Sequence, residues 1–147
     1  MSIQPDDITY GTVISVCQAA GHWQLALSLL STMLGSKITP DVISYSATIS
    51  SCEKGGQWQP ALDLLCEMRS GRLSADAITY NAAASACEKC HQWQLTLHLV
   101  GTLPKLKLTP DTISYNAVMS AVSKASLWQT SLNVLGQMSQ RTVCANE

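Results

Sequence analysis

The stretch TPDVISYSA at residues 39–47 returns as TPDTISYNA at residues 109–117, and CEKGGQWQ at residues 52–59 returns as CEKCHQWQ at residues 87–94. The aromatic residues follow the same 35-residue period, and the chain contains no Phe. A fixed period of this length indicates a tandem array of one supersecondary unit. The period divides the chain into repeats at about residues 7–41, 42–76, 77–111 and 112–146. The periodic aromatic residues are Tyr10, Tyr45, Tyr80, Tyr115, Trp23, Trp58, Trp93 and Trp128.

Each repeat carries two apolar stripes with the spacing of an α-helix. In the first repeat Tyr10, Ile14 and Cys17 lie on one stripe, and a second stripe begins at Trp23. Glycines between the stripes, at Gly21 and at Gly55-Gly56, supply the positive φ that a tight turn between helices requires. A hydroxyl residue stands close to the start of each first stripe, where its side chain can accept a hydrogen bond from a free N–H group of the helix. These residues are Thr9, Ser44, Thr79 and Ser114.

The repeats therefore predict an all-α fold of short antiparallel helices. One hairpin cannot bury its apolar stripe alone, whereas stacked hairpins share a continuous core. We expect residues 1–147 to form a single array, a right-handed α-solenoid of four helix-turn-helix hairpins with the first helices on its concave side. The Tyr and Trp side chains are expected to pack in the core. Gly101 and Pro104 predict that the second helix of the third repeat ends early and frays.

The overall composition excludes several classes of protein. A hydrophobic content of 46% excludes disorder, and the chain has no apolar run long enough to span a membrane. The formal net charge is −1, so the chain lacks the basic character that is typical of nucleic-acid binders. No signal or transit segment is visible at the N-terminus. The acidic residues follow the repeat phase, and no nucleophile or phosphate-loop motif is present, so we expect no enzymatic activity.

The order of motifs within each repeat resembles the pentatricopeptide repeat (PPR) family in its plain 35-residue class. The motifs are a hydroxyl residue followed by Tyr, then CEKGG, then an Ala-Leu-x-Leu-Leu-x-x-Met block and Pro-Asp, and the resemblance covers residues 6–146. It implies sequence-selective binding of single-stranded RNA without catalysis, at one base per repeat. It further implies a role in RNA processing, stabilisation or translation in mitochondria or chloroplasts.

The resemblance also implies a role for four positions in each repeat. The aliphatic residue two places before each Tyr clamps a base, and the residue after each Tyr reads the base edge with help from the residue that closes the repeat. A Lys near the end of the first helix contacts the phosphate. The clamp residues are Ile8, Ile43, Ile78 and Ile113, and the base-reading residues are Gly11, Ser46, Asn81 and Asn116. The closing residues are Asp41, Asp76, Asp111 and Asn146, and the phosphate-contacting residues are Lys54, Lys89 and Lys124.

The pairs of reading and closing residues imply a short base preference. By family precedent Ser46 with Asp76 favours G, Asn81 with Asp111 favours U, and Asn116 with Asn146 favours C. Gly11 has no side chain with which to read a base, so the preference becomes N-G-U-C. The first repeat has Ala19 where the others have Lys, and three phosphate contacts predict a salt slope of about −2 for a single strand.

The cysteines permit other interpretations. Cys87, Cys90 and His91 match the C-x-x-C-H pattern of c-type haem attachment, and the Cys87 and Cys90 pair alone would supply half of the ligands of a zinc site, with His91 as a third. A core role explains them better, because Cys87 belongs to the periodic series that starts at Cys17 and Cys52. None of the three His begins the H-x-E motif of a zinc deaminase. We therefore expect reduced thiols, no cofactor and no metal.

A second function remains open on the residues alone. The near-neutral charge and the small number of Lys and Arg residues also suit a protein-interaction scaffold built from the same solenoid. Four bases make a short site, and no polar capping helix follows Glu147. We therefore expect either a truncated piece of a longer RNA-binding array or a chain that self-associates through the ends of its array. No membrane partner is expected.

Overall fold

The chain folds into a row of helical hairpins in the computed structural model, which describes residues 6–145 and contains no strand in that range. The α-solenoid of helix-turn-helix hairpins predicted above is confirmed. The helices are α1 (Asp7–Ala20), α2 (Trp23–Gly35), α3 (Val42–Lys54), α4 (Trp58–Ser70), α5 (Ala77–Lys89), α6 (Trp93–Thr102), α7 (Thr112–Lys124) and α8 (Trp128–Ala145). A short 3₁₀ helix, Leu103–Leu106, follows α6.

The helices form two layers, and neighbouring helices pack more closely in one layer than in the other. The first helices of successive repeats pack directly on one another, α1 on α3, α3 on α5 and α5 on α7. The second helices pack on their own hairpin partner and on the first helix of the next repeat, and no comparable contact joins two second helices within the described residues. Close packing in one layer and wider spacing in the other place the first helices on the inner side, as predicted.

The first helices begin at aspartates. Asp41 is the N-cap of α3, and its carboxylate accepts the backbone N–H of Ser44 at 2.9 Å. Asp6, Asp76 and Asp111 cap α1, α5 and α7 in the same way. The prediction that the hydroxyl residues are the caps is therefore wrong. They occupy the third helical position, and their backbone N–H groups donate to the cap carboxylate, because a carboxylate is the stronger acceptor at a helix N-terminus. These residues are Thr9, Ser44, Thr79 and Ser114.

The helices end at residues with left-handed backbone, again with the 35-residue period. Gly21 and Gly56 have φ of 71° and 65°, whereas Gly55 has φ of −81°, so only one glycine of the Gly55-Gly56 pair supplies the turn. In the later repeats His91 and Ser126 adopt the same conformation. A second left-handed series, Lys37, Arg72 and Lys107, follows the second helices.

The core runs continuously from repeat to repeat. It contains Ile14, Cys17 and Cys52, and it includes Tyr45 and Tyr80, as predicted. The partly buried Trp23 and Trp58 pack against the same core. The indole ring of Trp23 lies directly against Gly55 in the turn of the second hairpin, so Trp23 joins two repeats.

The third repeat differs from the others at its end. Helix α6 ends at Thr102 after 10 residues, whereas α2 and α4 have 13. The early end was predicted, but the predicted fraying is wrong: the chain continues as the 3₁₀ helix, whose Leu103 is completely buried. Within the described chain, no helix combines the length and the hydropathy of a bilayer-spanning segment.

We predict that Gly55→Ala destabilises the protein by about 1–3 kcal/mol, because the added methyl group would overlap the indole ring of Trp23. Gly136→Ala is the matched control. No heavy atom lies within 4 Å of a Cβ at that helical position, so alanine is expected to stabilise by about 0.5–1 kcal/mol. Urea unfolding followed by circular dichroism measures both changes, and equal midpoints for the two variants would contradict the packing of Trp23 on Gly55.

Candidate nucleic-acid interface

The four clamp isoleucines form a row of exposed apolar side chains. Each is the second residue of a first helix. Their exposed fractions are high, at 73% for Ile8, 66% for Ile43, 69% for Ile78 and 61% for Ile113. Ile is among the residues most often buried, so the same exposed Ile in four packed helices is an unusual feature. We call this row the isoleucine edge.

The base-reading position lies three residues after each isoleucine and faces the next repeat. Next to Gly11 is the hydroxyl of Ser44, which lies 3.7 Å from where a Cβ would stand. The hydroxyls of Ser46 and Thr79 are 3.1 Å apart. The position therefore contacts the hydroxyl residue of the following first helix at each of these junctions. This contact was not predicted from the sequence, although its regular spacing of 33 residues was available as a signal.

Asn81 forms the most complete of these junctions. Its side-chain amide donates to a carboxylate oxygen of Asp111 at 3.0 Å, and the hydroxyl of Ser114 contacts its carbonyl oxygen at 2.5 Å. Asn81 is buried, with 6% of its surface exposed. The amide is thus held in one orientation by the closing residue of its own repeat and by the first helix of the next.

The other predicted readers differ in accessibility. Asn116 is exposed on α7, and its assigned partner Asn146 lies outside the described residues. The closing residues Asp41 and Asp76 are exposed helix caps. Asp111 is also exposed, and the backbone hydrogen bond from Ser114 lowers the pKa of its carboxyl group, with the Ser114 hydroxyl and the Asn81 amide adding to the effect against a smaller contribution from burial. These aspartates are therefore carboxylates that already accept hydrogen bonds within the protein, so part of their capacity to accept further hydrogen bonds is used.

The predicted phosphate-contacting lysines stand at the opposite ends of the first helices and are already engaged. Lys89 forms an ion pair with Glu53 of the preceding repeat, and Lys124 forms the equivalent pair with Glu88. Lys54 donates instead to the carbonyl oxygen of Ala19 at 3.4 Å. The roles of Glu53 and Glu88, which cancel the local charge of two of the three lysines, were not predicted from the sequence. The lysines remain 45% and 43% exposed in the two pairs.

The two glutamates are held by a hydroxyl as well as by an ammonium group. Ser85 donates to Glu53 at 3.0 Å, and Ser120 donates to Glu88 at 2.6 Å. Burial alone would raise the pKa of Glu88. The hydrogen bonds from Lys124 and Ser120, together with the positive charges of Lys124 and Lys89, outweigh that effect and hold the pKa below its usual 4.5.

The cysteines occupy the places that a core role predicts. Cys17, Cys52 and Cys87 are buried, and burial raises the pKa of Cys52 and of Cys87 to about 11. Cys90 donates to the backbone oxygen of Gly56 at 3.0 Å. Among the described residues, no group of three His, Cys, Asp or Glu side chains is placed to hold a metal ion.

Comparison with known protein families finds the same type of helical repeat in three stretches of this chain. The sequence pattern of the PPR repeat family matches residues 5–54 and 40–89, and the pattern of the PPR repeat matches residues 113–143. No curated protein matches the chain significantly.

Solved structures share the fold. The structure of maize PPR10 superimposes with a TM-score of 0.78 at 21% identity, over 95% of this chain and 20% of that chain. PPR10 in complex with an 18-nt psaJ RNA element gives 0.77 at 17% identity, over 96% and 21%. The PPR domain of Arabidopsis thaliana protein-only RNase P 1 in complex with tRNA gives 0.83 at 10% identity, over 96% and 75%. This chain thus spans about a fifth of the PPR10 chains that it matches.

We predict that Glu88→Gln lowers the free energy of unfolding by about 1 kcal/mol at neutral pH. The folded-state pKa of Glu88 is lowered, so its stabilising effect is present above the ordinary pKa of Glu and is lost as the pH falls through the lowered value. The difference between the wild-type protein and the variant should therefore disappear near pH values at which Glu88 is protonated in both states. Urea unfolding over a pH series measures it.

The partner of Glu88 supplies the control. In a Lys124→Gln background the same Glu88→Gln change should cost less at neutral pH, because the ion pair is already absent. An undiminished cost in that background would show that Lys124 does not stabilise the carboxylate.

Proposed function

The chain belongs to the PPR repeat family, and from this membership we propose that it binds single-stranded RNA along the isoleucine edge and that it acts without catalysis. The single observation that carries the proposal is the row of four isoleucines, each exposed at the second position of a first helix. An apolar side chain on each side of a base offers a stacking surface that every base can use, because every base has an apolar face. Such a row suits a strand with one base per repeat.

Polar groups beside the isoleucine edge supply the means of discriminating bases. Ser46, Asn81 and Asn116 offer donors and acceptors for the base edge, which stacking alone cannot distinguish. Two of the structural relatives were solved with RNA, an 18-nt psaJ element and a tRNA respectively. These features support direct base readout on the same edge of this chain.

We propose the base preference N-G-U-C from the pairs Ser46 with Asp76, Asn81 with Asp111, and Asn116 with Asn146. The hydrogen bonds that hold Asn81 to Asp111 and Ser114 orient its amide before RNA arrives. A fixed amide costs less conformational entropy on binding than a mobile one. Asn81 is buried between α5 and the start of α7, so a base must approach it from the exposed margin of that contact.

The paired lysines limit the electrostatic part of binding. A Lys that already neutralises a Glu releases fewer counterions when it meets a phosphate. We therefore propose a salt slope shallower than the value of about −2 that three uncompensated lysines would produce. Affinity then depends more on stacking and base contacts than on charge.

We predict that Ile78→Ala weakens binding of a fluorescent 12-mer RNA containing GUC by about fivefold, because a stacking surface is lost. Leu25→Ala is the matched control, since Leu25 is also exposed but lies on a second helix. Fluorescence anisotropy at low and moderate salt measures both affinities. Asn116→Ala, a change at an exposed position, should remove the preference for C over U at the last base.

These titrations also decide between functions. Equal affinities for Ile78→Ala and Leu25→Ala would exclude the isoleucine edge as the RNA site. Absence of RNA binding at any salt concentration would exclude RNA binding as the function and favour the protein-interaction scaffold.

We predict that Glu53→Gln combined with Glu88→Gln tightens RNA binding at low salt and steepens the salt slope towards about −2. The change releases Lys89 and Lys124 from their carboxylates. Asp63→Asn is the matched control, because it removes one acidic charge from an exposed site on α4, in the outer layer. An unchanged slope in the double variant would show that these lysines do not contact phosphate.

We propose that this binding serves RNA processing, stabilisation or translation in mitochondria or chloroplasts. Family membership is what supports the compartment and the wider role. Microscopy of the full-length gene product fused to a fluorescent protein tests the compartment, and a signal confined to the cytosol would exclude it.

A further inference from the structure

The first repeat exposes two apolar side chains at positions that are buried in every later repeat. Val13 and Val16 of α1 are 41% and 64% exposed, and we call this pair the head face. One, two and three periods further along the chain, the equivalent residues are 0–2% exposed. These residues are Thr48, Ser51, Ala83, Ala86, Val118 and Ala121.

The preceding repeat is what buries these positions. Helix α7 shows this directly, because the described residues contain a repeat before it and none after it. Its Val118 and Ala121 are buried all the same, and α7 packs on α5 and α6 of the third repeat. Helix α1 is in the opposite situation, with the second repeat after it and no described repeat before it. The head face is therefore the surface that, elsewhere in the array, packs against a preceding repeat.

The fourth repeat exposes the complementary surface. Leu135 of α8 is 47% exposed, whereas Leu30, Leu65 and Val100 at the equivalent positions are 2%, 3% and 7% exposed. Leu30 belongs to the first repeat, so the following repeat must be what buries this position. Leu132 lies nearby on α8 and is 58% exposed. We call Leu132 and Leu135 the tail face, which is the surface that packs against a following repeat elsewhere in the array.

A depression beside the tail face lies where a following helix would pack. Its volume is about 570 Å³, and Met119, Ser126 and Leu132 are among the residues that line it. Ser126 is the equivalent of Gly21 in the first repeat. A Cβ at Gly21 would lie 3.6 Å from the Cβ of Lys54, which belongs to the first helix of the next repeat. The same wall thus receives a first helix where a repeat follows.

The two end faces also match in charge. Within the array a Glu of one first helix pairs with a Lys of the next, and a charge left unpaired in such a contact would disfavour it. At the tail the Glu position holds Ser123, and at the head the Lys position holds Ala19. Both members of the pair are therefore absent together. The pairs within the array are Glu53 with Lys89 and Glu88 with Lys124.

A polar contact within the array has its two halves at the opposite ends of the chain. The amide of Asn81 donates to Asp111, the cap of the next first helix. Asn116 is the equivalent of Asn81 in the fourth repeat and is exposed. Asp6 is the equivalent of Asp111 and caps α1, with Thr9 donating to its carboxylate through both its backbone N–H and its hydroxyl. The head thus offers Asn116 the same kind of acceptor that Asn81 uses.

We propose that the tail face of one chain binds the head face of a second copy of this chain, in the register of the contacts between consecutive repeats. The two faces differ, so the contact is heterologous, and each copy leaves one head face and one tail face free. An interface that continues the array forms an open row of chains and does not stop at a two-fold dimer. The proposal does not depend on RNA binding.

The test uses two variants that each block one end. The head variant is Val13→Glu combined with Val16→Glu, and the tail variant is Leu132→Glu combined with Leu135→Glu. All four positions are exposed, so both variants should fold, which urea unfolding verifies. Sedimentation equilibrium of the wild-type protein should give a mass that rises with concentration beyond that of a dimer. Each variant alone should be monomeric, and an equimolar mixture should form a 1:1 dimer, because one free tail then meets one free head.

Leu34→Glu combined with Leu106→Glu is the matched control. It adds the same two charges at leucines whose equivalent positions are exposed in each of the first three repeats, so self-association should be retained. Single changes Val16→Glu and Leu132→Glu, at the more exposed position of each face, replace a double variant that does not fold.

Three outcomes would overturn the proposal. A wild-type chain that stays monomeric at its highest soluble concentration would exclude a second copy and leave a different repeat or protein as the occupant of these faces. Dimerisation of the head variant alone would show that two tail faces bind each other. Dimerisation of the tail variant alone would show the same for two head faces.

Discussion

The contact between successive first helices is the interaction on which the rest of the structure depends. A single hairpin cannot cover both sides of its apolar stripes, whereas in the stacked array residues such as Ile14 and Ile49 are completely buried. The same packing aligns the N-terminal ends of the first helices. Any residue that recurs with the repeat period is therefore displayed as a row, whether it is an isoleucine, an aspartate or a lysine.

Asp111 links the folding of the array to the candidate interface. The carboxylate of Asp111 caps α7 and also accepts the amide of Asn81, so the group that starts one helix orients the polar residue of its neighbour. Ser114 completes this arrangement from the third position of the helix. The proposed base-reading geometry at Asn81 is thus a by-product of helix capping, and loss of the Asp111 cap would remove the orientation of Asn81 as well.

The sequence predicted the fold well because periodicity reports on packing. The positions of Cys17, Tyr45 and the early end of α6 all follow from spacing and from residue type. The caps were misassigned because Asp and its hydroxyl neighbour compete for the same N–H groups, and the stronger acceptor prevails. The pairs Glu53 with Lys89 and Glu88 with Lys124 were missed because they join different repeats, and only the register of packed helices brings such side chains together.

The packing of Trp23 on Gly55 means that these repeats are not interchangeable cassettes. The residue equivalent to Gly55 is Cys90 in the third repeat and Ala125 in the fourth, so only the second repeat leaves its backbone bare for an indole. Moving the third or fourth cassette directly behind the first would bring a side chain into the path of Trp23. The contacts between repeats therefore constrain the order of the repeats. A design that concatenates or reorders them has to keep each tryptophan together with the turn against which it packs.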